Sequence, residues 1–304
     1  AYFDQIWRFV TPQTGACFWV KDESAHYKFN GTSWQMITVS GGGGGGGGSA
    51  PISPSLCNGR LTLTSGTPVT SADVAGAGTV YFTPYRGNQI ALYDGSAWNT
   101  RSFSERTISL ASGFVSAKPY DVFAYDNAGV ITLETVVWTN DTTRATALTM
   151  QDGVYVKSGA ATRRYLGTFY TTSATTTEDS STKRYVWNYA NRVPRVWQRA
   201  IPSSGTMWTY TSPTWRQANG DAANQIEGVV GVVEDATEIA IAVNAQNTIA
   251  NTIVSLGIGI NSTTVNSAQS CGATTGVVAN SVLTNHAKYN GMLPLGRNVF
   301  TWLE

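Results

Sequence analysis

Apolar and polar residues alternate over short stretches along most of this 304-residue chain, the two-residue period of half-buried β-strands. Near the start Phe18 and Val20, then Tyr27 and Phe29, follow that alternation. Asn30-Gly31 supplies the positive-φ positions of a tight hairpin, and Trp34 begins a return strand toward Ile37 and Val39. The arrangement recurs at Leu92-Tyr93-Asp94-Gly95-Ser96-Ala97-Trp98. In each copy an aromatic, Asn/Asp-Gly, a hydroxyl residue, one spacer and Trp predict a hairpin whose rings meet across the strands. Further strands are predicted at 61–63, 80–82, 90–92, 107–110, 122–125, 131–138, 154–156 and 165–170. Later ones fall at 196–201, 207–211, 226–233, 239–244, 253–260 and 299–303, with Glu234-Asp235-Ala236-Thr237 as a turn between two long strands. Gly, Pro, Asn and Asp punctuate residues 56–138 at roughly the 8–12-residue spacing of sandwiches and barrels.

One stretch breaks the period. In residues 178–194, Val186, Tyr189, Ala190 and Val193 fall at i, i+3, i+4 and i+7, one face of a helix. Asp179 or Ser180 is placed to cap its first turn, Glu178 and Asp179 precede it, Arg192 lies near its end, and Pro194 stops it. The pattern predicts a helix over about 180–192 laid across or beside an antiparallel β-sandwich, with two β subdomains allowed to meet near 178–195.

The glycine run Gly41 to Gly48, followed by Ser49-Ala50-Pro51, reads as a hinge with a typical reach on the order of 15 Å. A phosphate-binding loop is excluded there, because no Lys-Ser/Thr pair and no strand-to-helix context follows. The expected organisation is a small β-hairpin attachment module over 1–40, a linker over 41–50 and the sandwich body over 51–304. The chain opens on Ala1 and closes on a strand-like run, so flanking residues are expected to be missing, or an initiator Met removed before Ala1.

Composition narrows the partners. Hydrophobic residues make up 42%, so a core is expected, but charged residues only 13%, about half the usual ~25%. A net charge of +1 argues against a nucleic-acid groove or an anionic membrane surface. No apolar run approaches the ~18 residues of a membrane helix. Cys17, Cys57 and Cys271 match neither a zinc spacing nor a disulfide framework and are expected as buried free thiols.

The inventory for catalysis is thin. His26 and His286 lack neighbours that would complete a metal motif, so no metal and no cofactor is expected. Carboxylate pairs are the one route to glycan cleavage, since two acids at ~5–9 Å suffice. Glu178 and Asp179 are accounted for by helix capping, Glu234 and Asp235 by a turn, and Asp121 and Asp126 as solvated groups flanking a strand. Aromatics say more. Trp208 and Tyr210, on one face of a strand, and Trp215 form a cluster that would stack on sugar rings if exposed, or else pack the sheet or a subunit interface.

Two stretches resemble known proteins. Trp7-Arg8-Phe9, Pro12, Gly15, Trp19-Val20, Asp22 and Asn30 to Trp34 resemble the end of a small domain of unknown function found in phage tail proteins and gene-transfer-agent fibres. That domain normally has more chain before this point. The run 61–195 resembles uncharacterised virion proteins of tailed phages, through Tyr81-Phe82-Thr83-Pro84-Tyr85-Arg86-Gly87-Asn88, Tyr120 to Asp126, Trp138-Thr139-Asn140-Asp141, Arg163 to Gly167 and Lys183 to Asn188. In those proteins the body continues past the point where this chain ends. The resemblance implies a phage virion protein without fixing its part of the particle, and the small N-terminal module, the glycine hinge and the low charge add the expectation of a non-enzymatic tail fibre or spike subunit at the particle exterior. Such a subunit is trimeric, is joined to other virion proteins through the N-terminal module and meets a host-surface glycan or protein receptor. The alternatives are a head-decorating fibre or capsid cement protein and a capsular polysaccharide depolymerase.

Overall fold

A computed structural model describes residues 2–4, 6–8, 11–20, 25–36, 53–201, 207–276 and 278–304. Gly41 and Gly48, and with them the predicted hinge, lie outside the described residues. Two units separate, Ala1–Pro51 and Ile52–Glu304.

In the first unit Tyr2–Asp4 pairs with Ile6–Arg8, and Cys17–Val20, Ala25–Phe29 and Trp34–Met36 form an antiparallel meander. The predicted hairpin joins the last two strands, but its turn works differently. Only Gly31 takes positive φ, +102°. Asn30 instead uses its side chain, whose Oδ1 accepts the Thr32 and Ser33 N–H groups at 2.9 and 2.8 Å.

The second unit is mainly β and, with a single exception, antiparallel. Its twin hairpin, Gln89–Tyr93 with Trp98–Ser102, repeats the same device: Asp94 Oδ1 accepts the Ser96 and Ala97 N–H groups, both at 2.8 Å, and Gly95 sits at φ +108°. A three-stranded sheet runs Arg106–Ser109, Thr79–Pro84, Gly59–Thr62. A six-stranded sheet runs Val130–Val137, Pro119–Asn127, Ala160–Tyr170, Val154–Lys157, Leu148–Gln151, with Val186–Asn188 also on Ala160–Tyr170. Val80, Ile90, Leu110, Val122 and Phe169, all fully buried, anchor the core these sheets share.

A seven-stranded sheet builds the rest, in the order Gly272–Gly276, Thr252–Ile260, Gly296–Leu303, Gln225–Val230, Lys183–Arg184, Thr177–Asp179, Val74–Ala77. Lys183–Arg184 on Gln225–Val230 is the one parallel pairing among the described residues. The long ribbon Ala236–Gln246 with Val282–Met292 contributes Ile239 and Ala287 to a second core around Leu256, Ile258 and Phe300. Tyr170, Tyr185 and Val229 form a third, smaller cluster.

Four expectations are corrected. No helix forms at 180–192: Thr177–Asp179 and Lys183–Arg184 enter the seven-stranded sheet, while Val186–Asn188 enters the six-stranded one. Ser180, expected as a cap, makes the turn between the first two, exchanging backbone bonds with Lys183. Asp179 accepts Arg184 and Arg195, both at 3.0 Å, in place of helix N–H groups. Open sheet edges satisfy this backbone, and that outweighs a four-position periodicity. Second, residues 196–201 and 207–211 form no strand. Third, 234–237 is not a turn between paired strands. Gln225–Val230 pairs with Gly296–Leu303, Ala236–Gln246 pairs with Val282–Met292, and Ala236 and Thr237 already belong to the ribbon. Fourth, only Cys57 is buried; Cys17 and Cys271 are exposed free thiols. Burial pushes the Cys57 thiol up.

Candidate functional site

Residues 207–216 carry the predicted aromatic cluster, and the alternation there holds without a sheet. Met207 and Thr209 are exposed and Trp208 and Tyr210 half-buried, so the two rings point to the same side. The end of the strand Gly296–Leu303 receives Trp208. The Trp208 indole N–H donates to the Glu304 carboxylate, and its ring meets Trp302 edge-on with centroids 5.4 Å apart. Arg216 donates to the same carboxylate at 2.8 and 3.0 Å, and the Arg216 and Glu304 backbones exchange N–H···O bonds of 3.2 and 3.0 Å. The Asn219 N–H adds a further bond to Glu304 at 2.9 Å. Glu304 thus fastens the segment from three directions.

Tyr210 donates its hydroxyl to the Thr214 carbonyl at 2.5 Å, and the Arg216 guanidinium lies 3.8 Å from its ring centroid, covering one face. Trp215 goes elsewhere. It packs on the strand Thr252–Ile260, where a Cβ on Gly257 would come within 3.1 Å of its ring. No ring–ring contact joins Trp208, Tyr210 and Trp215 among the described residues.

The acids weighed for glycan chemistry are all engaged. Asp121 lies inside the strand Pro119–Asn127, not beside it, and pairs with Arg144 at 2.6 Å while accepting the Thr168 hydroxyl at 2.7 Å. Burial pushes its carboxyl up, against the pull of Arg144 and Thr168. The Arg144 guanidinium stacks over Trp138 at 4.4 Å and donates to the Gly231 carbonyl, tying the six-stranded sheet to the chain that follows Gln225–Val230. Asp126 pairs with Arg101 at 2.5 Å and Glu178 with Lys183 at 3.3 Å. Arg192 holds Glu234 at 2.8 Å and Asp235 as well.

Sequence reasoning passed over a second polar centre. Glu227 accepts the Tyr185 hydroxyl, Arg297 Nε at 3.0 Å and Gln225 Nε2 at 2.9 Å. Burial alone would raise the Glu227 carboxyl, but Tyr185 and Arg297 together hold it below the usual glutamate range. The Tyr185 phenol is pushed up by burial and by Glu227, and Tyr170 beside it up to about 12 by burial. The only signal in the sequence was Glu227 alternating with apolar neighbours inside a strand.

Two depressions, about 170 and 300 Å³, reach at most the lower end of ordinary ligand pockets. The smaller is lined by Trp187, Trp197 and Arg184, the larger by Arg144, Tyr155 and Leu295. Neither holds two facing unpaired carboxylates. His286 is exposed on the ribbon. No group of three or more potential metal ligands occurs among the described residues. The arrangement fastens chain segments to one another. No family model, curated protein or solved structure matches this chain.

Proposed function

We infer that this protein is a non-enzymatic structural subunit of a tailed-phage virion, a fibre or spike that presents a β-rich body at the particle exterior for host attachment. The observation that supports the reading best is the state of the acids. The six carboxylates weighed for glycan cleavage, Asp121, Asp126, Glu178, Asp179, Glu234 and Asp235, are each ion-paired with Arg or Lys. A body that spends its few charges on internal fastening suits a rigid, nearly neutral shape. The resemblance of its motifs to those of phage virion proteins supplies the context. Trimeric assembly, attachment through the N-terminal unit and a glycan or protein receptor belong to the same reading.

A reconstruction of the whole particle at subunit resolution tests it. Density for this chain at the tail or baseplate is the expected result. Density on capsomers would make it a head-decorating protein, and release of reducing sugar from host polysaccharide by the purified chain would make it a depolymerase.

A further inference from the structure

The ribbon of Ala236–Gln246 with Val282–Met292 presents one long sheet edge. On the far side of Val282–Met292, Lys288 exchanges backbone N–H···O bonds of 2.9 and 3.2 Å with Ser270. Lys288 therefore turns its backbone groups away from Ala240, the residue opposite it in the ribbon. Antiparallel pairing alternates bonded and non-bonded pairs, so the odd-numbered residues of Ala236–Gln246 bond to Val282–Met292. The even-numbered ones turn their N–H and C=O groups outward. They are Ala236, Glu238, Ala240, Ala242, Asn244 and Gln246, all exposed, and no other strand among the described residues pairs with them.

Sheet edges are ordinarily blunted by shortness, charge, Pro or a bulge, because a row of unpaired backbone groups recruits another strand. The second unit uses two of these devices elsewhere. Leu148–Gln151 and Val74–Ala77 end their sheets with four residues each, and the eight-residue edge Val130–Val137 carries Glu134 within it. Ala236–Gln246 is eleven residues long, keeps register without a bulge, contains no Pro or Lys, and has one charge, Glu238, near its start. No Asp, Glu, Lys, Arg or His occurs between Glu238 and His286 in the sequence.

The edge is also complementary to itself. Turned antiparallel about Ile241, two copies pair along the whole strand. Ala240 then faces the partner's Ala242, and Glu238 faces the partner's Asn244, so no two like charges meet. The outward groups fall into bonded pairs, about twelve N–H···O bonds in all. Ile241 lies beside its own copy and Ile239 beside the partner's Val243, on the side where these residues cover the core around Leu256 and Ile258. A partner of any other sequence would have to supply a matching strand, whereas a second copy brings this one already formed.

We propose that the outer edge of Ala236–Gln246 is a two-fold contact between copies of this chain, paired antiparallel about Ile241. The proposal goes beyond the virion reading and does not rest on it, since a two-fold edge contact joins copies whether or not three chains meet at another surface.

Sedimentation velocity on the full chain tests it. The parent should self-associate. A240E/A242E sets carboxylates against carboxylates at the contact, while within the ribbon the same positions face Lys288 and His286, so the fold is kept. This variant should weaken the contact at least about tenfold and sediment at half the parent's mass. A240E/A242K sets each carboxylate against an ammonium of the partner and should restore the parent's mass. A second measurement needs no variant: in the parent, the amide hydrogens of Ala240, Ala242 and Asn244 should exchange slowly at high protein concentration and fast on dilution. The proposal is overturned if the parent is a monomer, if A240E/A242E keeps the parent's mass, or if those amides exchange equally fast at both concentrations. An A240E/A242K variant that stays as dissociated as A240E/A242E overturns the pairing about Ile241.

Discussion

Tyr93 faces Trp98 across its hairpin with ring centroids 5.6 Å apart and planes at 52°, and Phe29 faces Trp34 at 5.2 Å and the same 52°. Two loops of unrelated surroundings reach one geometry because the same three parts recur: an Asx side chain bonding two N–H groups, a glycine at positive φ, and a Trp closing the pair. Gly95→Ala should therefore cost at least about 1 kcal/mol, since a Cβ there meets nothing within 4 Å and the penalty is purely one of backbone conformation. Asp94→Asn should be tolerated, because Asn30 does the same work in the twin, whereas Asp94→Ala should lower the melting temperature. A scan of the three variants decides it.

Arg164 is 2% exposed and pairs with no carboxylate among the described residues. Its two terminal nitrogens donate to backbone carbonyls, at 2.7 Å to Pro54, 2.8 Å to Leu56, 2.7 Å to Ala91 and 3.1 Å to Ser55, while its buried Nε has no partner among the described residues. The guanidinium fork thus binds the start of the body to the strands Ala160–Tyr170 and Gln89–Tyr93. Arg164→Met should cost about 3–5 kcal/mol by denaturant titration, since several buried acceptors lose their donor. Arg164→Lys should recover only part of that, because an ammonium cannot reproduce the fork.

The Glu227 centre makes stability depend on pH at both ends. The folded pKa of Glu227 is depressed, so its contribution is complete above the unfolded value of ~4.3 and is lost as pH falls below it. For Tyr185 the folded pKa is raised, so stability falls as pH rises past the unfolded value of ~10. Glu227→Gln should flatten the acid limb and Tyr185→Phe the alkaline limb of unfolding free energy against pH. An unchanged acid limb in Glu227→Gln would show that other carboxylates carry it.

The fastening at Glu304 predicts a local effect. Glu304→Ala removes the acceptor shared by Trp208, Arg216 and the Asn219 N–H, so residues 207–219 should exchange amide hydrogens faster while the strand Gln225–Val230 stays protected. Trp208→Phe keeps the ring against Trp302, loses the N–H donor, and should cost about 1 kcal/mol.

For the glycine run the prediction comes from sequence. Shortening Gly41–Gly48 should weaken adsorption to host cells by restricting how many copies engage together, with the melting temperature of the second unit unchanged. A joint loss of both would refute the hinge.

The strands Pro119–Asn127 and Ala160–Tyr170 were legible in part, through the β-branched and aromatic runs 122–125 and 165–170. The stretch 178–194 misled because Val186, Tyr189, Ala190 and Val193 are indeed all half-buried, but the strand Val186–Asn188 and the bend after it bury them as well as a helix would. The run Arg184-Tyr185-Val186-Trp187-Asn188, aromatic and β-branched, carried the opposing signal. The aromatic cluster at 207–215 was visible as composition, but its partners, Trp302, Glu304 and Gly257, lie far along the chain where no local pattern points to them.

The order of the seven-stranded sheet has a bearing on synthesis. Gly296–Leu303 emerges from a ribosome after both of the strands it lies between, Thr252–Ile260 and Gln225–Val230. Until it arrives, those two earlier strands have no common neighbour and expose bare hydrogen-bonding rims. A prematurely terminated copy would leave those rims open, a form that proteases and chaperones recognise.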